Sequence, residues 1–306
     1  MRPPSPSIPE KEFLVASLAQ NLRIDGRSLL EMRPVSFAFG SELGDVECAL
    51  GKTRVLAHID AKMVRPPPER PYEGIITIHS EISPMASSLY EPGRPSEEEV
   101  ALSRMLDKVL RRSDTVDKEA LCVLAGQRVW HLRLTIHCLA DAGNLQDCAC
   151  IAGIAALKHF RRPEVEVVGD EIIVHPPTSR APVPLAMHHT PLNLTFAFFP
   201  DASTSSSDAP VDTTYPDGTV SSRNSPVPQM LLDPSPLEST LASSTLALAL
   251  NSQRELCVVH KAGGMPLSPA DVLRAVNVAT DRVRELVSRI DGDISTDWNL
   301  RGVEVR

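Results

Sequence analysis

Between Asp141 and Leu157 the chain reads Asp-Ala-Gly-Asn-Leu-Gln-Asp and then Cys-Ala-Cys-Ile-Ala-Gly-Ile-Ala-Ala-Leu. A glycine turn opens a run without a polar face, and a helix apolar on every side has to lie inside the protein with other structure around it. The start of such a helix presents unpaired N–H groups and the positive end of its dipole, a natural place for phosphate. Whether the turn at Asn144 and Leu145 grips a phosphate therefore decides whether the chain is an enzyme.

The remainder supplies the layers around that helix. At 306 residues, 42% hydrophobic and 23% charged, the composition is that of a soluble globular protein with length for a real core. Only 4% is aromatic, so the core must rely on aliphatic side chains. A net charge of −8 argues against a free-standing nucleic-acid binder and leaves room for local basic patches. The cysteines at 48, 122, 138, 148, 150 and 257 include no C-x-x-C pair, which points to buried thiols in a reducing compartment rather than zinc or redox chemistry. No apolar signal core follows Met1, and no apolar run is long enough to span a bilayer, so an intracellular soluble protein is expected.

The pattern along the chain is α+β. A disordered leader precedes a short amphipathic helix from Glu10 to Gln20, with Phe13, Leu14 and Leu18 on its apolar side. Strands follow at Val35–Phe39, Asp45–Leu50, Thr53–Met63 and Gly74–Ile82. Ser96 to Arg112 reads as a helix with capping-box spacing at Ser96 and Glu99 and a stripe of Leu102, Met105, Leu106, Val109 and Leu110. Gln127–Ala140 alternates as a strand and leads into the central helix, which Pro163 ends. A strand–turn–strand unit at Val165–His175 and a strand at Leu192–Phe199 come next, then strands at Gln229–Asp233, Thr245–Leu250 and Leu256–His260. A last helix starts at Ser268. The expected organisation is a leader and helix over 1–21, halves at 22–163 and 164–292, a Ser/Pro-rich disordered insertion at 200–228, and a tail at 293–306.

Several motifs are shared with a known family: Arg23-x-Asp25-Gly26-Arg27, Leu50-Gly-Lys-Thr-Arg-Val-Leu56, Glu91-Pro-Gly-Arg94, Gly126-x-x-Val129-Trp130, Asp141-x-Gly143-Asn144-x-x-Asp147, Phe160-Arg-Arg-Pro-Glu-Val165, His188-His189-x-Pro191 and Phe196-Ala-Phe-Phe199. On these the sequence resembles the RNase PH family, and within it the ring subunits of the RNA exosome. The resemblance covers about residues 12–290, leaving out the leader, the 200–228 insertion and the tail. It implies an RNase PH-like fold of two βαβα-type halves with helices on mixed sheets. It further implies a hetero-hexameric ring of RNase PH-like subunits, RNA-binding cap subunits and associated hydrolytic nucleases that receive RNA. Work in RNA processing and degradation, rRNA included, in the nucleus, nucleolus and cytoplasm, follows from the same resemblance.

Phosphorolytic members attack the last nucleotide of RNA with inorganic phosphate, which calls for cations to hold the phosphate and a carboxylate nearby. In active members the glycine turn continues as Ser-Arg or Thr-Arg, and that pair grips the phosphate. Here the matching residues are Asn144 and Leu145, a degenerate phosphate site. The second-half acidic cluster matches Leu232–Pro236, where Asp233 remains and the next acidic position reads Ser235. The expectation is a catalytically silent subunit without a cofactor; the alternative is a phosphorolytic 3′-to-5′ exoribonuclease with a non-standard phosphate site. Asn144 then suits a positive-φ turn and Asp147 a helix cap. RNA contact is expected from the basic line of Arg104, Lys108 and Arg111 with Arg112, and from Arg94 in the Glu-Pro-Gly-Arg turn. The histidines form no convincing metal set.

Overall fold

The computed structural model describes residues 6–91, 93, 95–169, 171–176, 179–200 and 228–301. Residues 1–5, 302–306 and all of the expected insertion except its end prolines lie outside them, as does Arg94.

Helix α1 (Ile8–Ala19) opens with a Ser7–Glu10 capping box and buries Leu14 and Leu18. Phe13, expected on the apolar side, is instead 63% exposed. One residue before Leu14 and five before Leu18, it lies about 100° and 140° round the helix from them.

The first sheet takes β1 (Val35–Phe39), β2 (Val46–Leu50), β3 (Thr53–Val64), β4 (Ile75–Ile82), β5 (Cys122–Leu124) and β6 (Arg128–Ala140). Their order is β1-β2-β3-β6-β4, with β5 also on β6; β4 and β6 run parallel and the other pairs antiparallel. Period-two alternation sorts the faces. Val55, Ala57, Ile59, Leu134, Ile136 and Cys138 are buried inward. His58, Asp60, Arg133 and His137 fall on the opposite face of the pleat and none of them is buried.

Helix α2 (Glu97–Leu106) starts at Ser96, whose hydroxyl accepts the Glu99 N–H at 3.1 Å. A π-turn over Asp107–Arg111 extends it, so the expected straight helix to Arg112 changes pitch after Leu106. Helix α3 (Leu145–His159) is the apolar run of the sequence, and every residue from Asp147 to Leu157 is buried. It lies between the sheets, against β2, β3 and β6 on one side and β11 (Leu192–Phe199) on the other.

Between α3 and β11 come β7 (Arg161–Arg162), the hairpin of β8 (Val165–Val168) and β9 (Glu171–Val174), and β10 (Val183–Pro184), which pairs with β7. The second sheet adds β12 (Gln229–Leu232), β13 (Ser244–Leu250) and β14 (Leu256–Lys261), in the antiparallel order β12-β11-β13-β14. Helix α4 (Pro236–Leu241) joins β12 to β13. On the side of this sheet away from α3, Ala197, Phe199 and Leu231 pack with Leu14 and Leu18 of α1.

Helix α5 (Pro269–Arg301) buries Ala275, Ala279, Val283, Leu286, Ile290 and Ile294. It runs through residues 293–301, which the sequence placed in a tail. Tertiary contacts carry the helix past Gly292. Asp297 receives Arg301 Nε at 2.6 Å and pairs with buried His159 Nε2 at 3.0 Å. Arg301 also donates to Ser41 O at 2.9 Å, and the Arg161 guanidinium lies 4.4 Å from the Trp298 ring centre. The Gly44 N–H donates to His159 Nδ1, which leaves the ring proton on Nε2 facing Asp297.

Candidate functional site

The turn before α3 is fixed by its conformation and its surroundings. Gly143 has φ 89°, and a Cβ there would come within 2.7 Å of the Pro236 nitrogen in the second half. Asn144 follows with φ 52°, the left-handed position foreseen for it, which a short polar side chain tolerates. Buried Thr53 donates its hydroxyl to Gly143 O at 2.8 Å, and Arg33 donates to Ala142 O and Gly143 O at 2.9 and 3.0 Å. Asn144 and Leu145 thus sit at a helix start held rigidly from both halves.

Both side chains are engaged within the protein. Leu145 is half-buried and packs against the core. Asn144 Nδ2 spends its two hydrogens on Asp147 Oδ2 and Asp233 Oδ1, both at 2.7 Å. The opposite amide orientation would set oxygen against two carboxylates, so the charges fix this one.

Asp233 is the hub. Fully buried at the end of β12, with φ 53°, it receives Arg33 through N, Nε and Nη2 at 3.0, 2.8 and 2.7 Å and Arg27 Nη1 at 2.9 Å. Burial alone would raise its carboxyl; the Arg33 guanidinium and the Asn144 amide outweigh that and hold it below the usual carboxylate range.

Asp147, expected as a helix cap, points into the core instead. It accepts Asn193 Nδ2 at 2.6 Å, the Thr195 hydroxyl at 2.8 Å and the Thr195 N–H at 2.8 Å, tying α3 to β11. Burial pushes its carboxyl up to about 7 against the pull of the Asn144 and Thr195 donors. Ser235, read as a lost acidic position, is the N-cap of α4 and forms a capping box with Glu238. Glu238 in turn pairs with Arg23. The roles of Arg23, Arg27, Arg33 and Glu238 escaped sequence reasoning, although the Ser235–Glu238 spacing is a legible capping signal.

The basic line is redirected by the π-turn. Arg104 is exposed on α2, and Lys108 is half-buried. Arg111 and Arg112 both reach back to Asp107, at 2.5 and 3.1 Å, and line a cavity of about 490 Å³ with Arg70 and Lys118. The structure therefore brings Arg111 and Arg112 beside Arg70 and Lys118, which the helical spacing did not suggest and which are themselves paired with Glu73 and Asp114 of the same lining. Arg104 does not line this cavity. At the other end of α2, Tyr90 bonds both Glu98 and Asp141, at 2.7 and 2.8 Å. That places the N-terminus of α2 beside the glycine turn, so the Arg111 cluster stands roughly 20 Å of helix away from it.

Residues 31–163 match domain 1 of the RNase PH-type 3′ exoribonuclease family, and residues 228–282 match its domain 2. The chain is 38% identical over 291 residues to the exosome complex component rrp45 of Schizosaccharomyces pombe, covering 95% of this chain and 91% of that protein. It is 37% identical over 292 residues to the exosome complex component RRP45 of Homo sapiens, covering 95% of this chain and 61% of that longer protein. A solved chain described as "archaeoglobus fulgidus exosome with RNA bound to the active site" superimposes with a TM-score of 0.71 at 25% identity, over 92% of this chain and 97% of that one.

Proposed function

The chain belongs to the RNase PH-type 3′ exoribonuclease family, and we propose that it serves there as a non-catalytic subunit of the RNA exosome core ring. It corresponds to the polymyositis/scleroderma autoantigen type of ring subunit, the type of the human RRP45 relative. Its partners are other RNase PH-like subunits in a hetero-hexameric ring, RNA-binding caps and associated hydrolytic nucleases. It supports 3′-to-5′ RNA processing and degradation by scaffolding the ring and lining the RNA path, in the nucleus, the nucleolus and the cytoplasm. Its two units are the half at 22–163 and a second half that starts at 164 and runs to the end of α5 at Arg301.

One observation carries the non-catalytic reading. The amide of Asn144 is committed to Asp147 and Asp233, and Leu145 beside it has no polar group, where active relatives carry a phosphate-gripping pair. RNA is met instead by Arg104, Lys108, Arg111 and Arg112, with Arg94.

Isolation of the chain with its native partners tests the assembly. Mass spectrometry is expected to identify RNase PH-like and cap subunits in equal proportion to it. A chain that purifies as a monomer, or only with unrelated proteins, contradicts the reading.

A further inference from the structure

Five donors from three residues on two separate segments meet on the single carboxylate of Asp233. They are N, Nε and Nη2 of Arg33, Nη1 of Arg27 and Nδ2 of Asn144, at 2.7–3.0 Å. The donors lie 89 to 206 residues away in sequence, so the carboxylate is held by the folded protein as a bound anion would be. Two guanidiniums and an amide converging on one point are the donor set of an oxyanion site, since a guanidinium presents parallel N–H groups matched to carboxylate or phosphate oxygens.

We propose that this is an anion cradle occupied by the chain's own Asp233, and that a free tetrahedral oxyanion, inorganic phosphate as the probe, enters it once that carboxylate is removed. The inference deepens the non-catalytic reading, on which it rests in taking the α3 turn as a phosphate site out of use. In the intact protein the tethered carboxylate is present at an effective concentration that dissolved phosphate does not match, so the wild type leaves phosphate unbound.

The geometry favours exchange. The Arg27 and Arg33 side chains are 12% and 13% exposed, so the cradle borders solvent although Asp233 does not. At φ 53° Asp233 holds a backbone conformation open to glycine without penalty. Its carbonyl oxygen still accepts Arg23 Nη2 at 2.9 Å and Arg27 Nη2 at 3.3 Å, which keeps the main chain in place when the side chain is deleted. Two nearby carboxylates limit the positive charge. Asp25 pairs with Arg27 at 2.5 Å, and Asp147 shares the Asn144 amide. Asp147 already stands beside the charge of Asp233, so one negative charge in the cradle is what its surroundings accommodate.

The test uses the full chain as wild type, Asp233→Gly, Asp233→Asn and Asp233→Gly combined with Arg33→Ala. Thermal unfolding is followed in increasing inorganic phosphate against chloride of equal ionic strength, with phosphate binding measured by calorimetry. Asp233→Gly is expected to bind phosphate saturably in calorimetry, with a Tm that climbs with the logarithm of phosphate concentration and is about 5 °C higher at concentrations far above Kd. Wild type and Asp233→Asn, whose side chains still fill the cradle, are expected to show no response, and Arg33→Ala to abolish that of the glycine variant. If Asp233→Gly is unfolded in chloride, recovery of folded protein by phosphate is the expected result. Absence of any phosphate response in Asp233→Gly, or an equal response in the wild type, overturns the proposal. Loss of the non-catalytic reading would appear separately, as phosphate-dependent RNA cleavage by the wild type.

Discussion

Arg23 and Glu238, 215 residues apart, form a bidentate ion pair with both side chains almost fully buried, Nε to Oε1 at 3.0 Å and Nη2 to Oε2 at 2.5 Å. The pair fastens the segment after α1 to the start of α4, tying the first half to the second. Arg23 also donates to Leu232 O and Asp233 O, which places the carbonyls beside the hub carboxylate.

Breaking that pair from one side leaves a buried charge without its partner, at a cost of about 3–5 kcal/mol. Arg23→Met and Glu238→Leu are each expected to lower unfolding free energy by that amount in denaturant titrations. The double variant is expected to lose less than the sum of the two. A single variant within about 1 kcal/mol of the wild type would show the pair to be incidental.

Asn144→Ser recreates a residue found in active relatives but removes both hydrogen bonds to Asp147 and Asp233. It also puts serine at φ 52°, where asparagine is better tolerated. A loss of about 2–3 kcal/mol is expected, from two bonds to charged groups plus backbone strain. Equal stability in urea would mean that the amide is not the tie the geometry describes.

The two buried carboxylates give opposite pH dependences. Asp147 titrates near 7 in the folded chain against 3.8 for the ordinary group, so the folded state holds the extra proton in that window. Its contribution is therefore present at low pH and is lost as pH rises toward 7, then stays constant. Asp233 is shifted downward, so its contribution is present above the unfolded value and is lost as pH falls through the folded one. Denaturation midpoints of the wild type are expected to decline between about pH 4 and 7, and those of Asp147→Asn to lack that decline. Parallel profiles would contradict the assignment to Asp147.

Reversing the charge of Arg104, Lys108 and Arg111 together is expected to reduce RNA cross-linking to this subunit in the assembled ring several-fold, with assembly unchanged. Each phosphate contact removed should also flatten the salt dependence by about one unit of slope. A ring that dissociates would assign these side chains to a subunit contact.

Much of this was legible in the residues. The all-round apolar run after Gly143 announced a helix enclosed by other layers, and α3 lies between two sheets. Alternation marked five of the six strands of the first sheet to within a residue or two, because one face of that sheet is buried and the other is not, while the three-residue β5 is too short to alternate. Asn144 was foreseen at a positive φ because few other residues fit there. The failures have physical causes. Asp147 has the spacing of a cap, yet its partners Asn193 and Thr195 belong to a strand far along the chain. The π-turn after Leu106 has no signature in the apolar stripe, which continues unbroken through Val109 and Leu110. Arg33 is one arginine among many until the fold brings it to Asp233, and α5 outruns Gly292 because His159 and Arg161 hold its last turns.

Incubation of the purified chain with single-stranded RNA and inorganic phosphate tests the central claim most directly. The account predicts no release of nucleoside diphosphates from the wild type. Phosphate-dependent release that disappears in Asp233→Asn, in protein still folded, would contradict it.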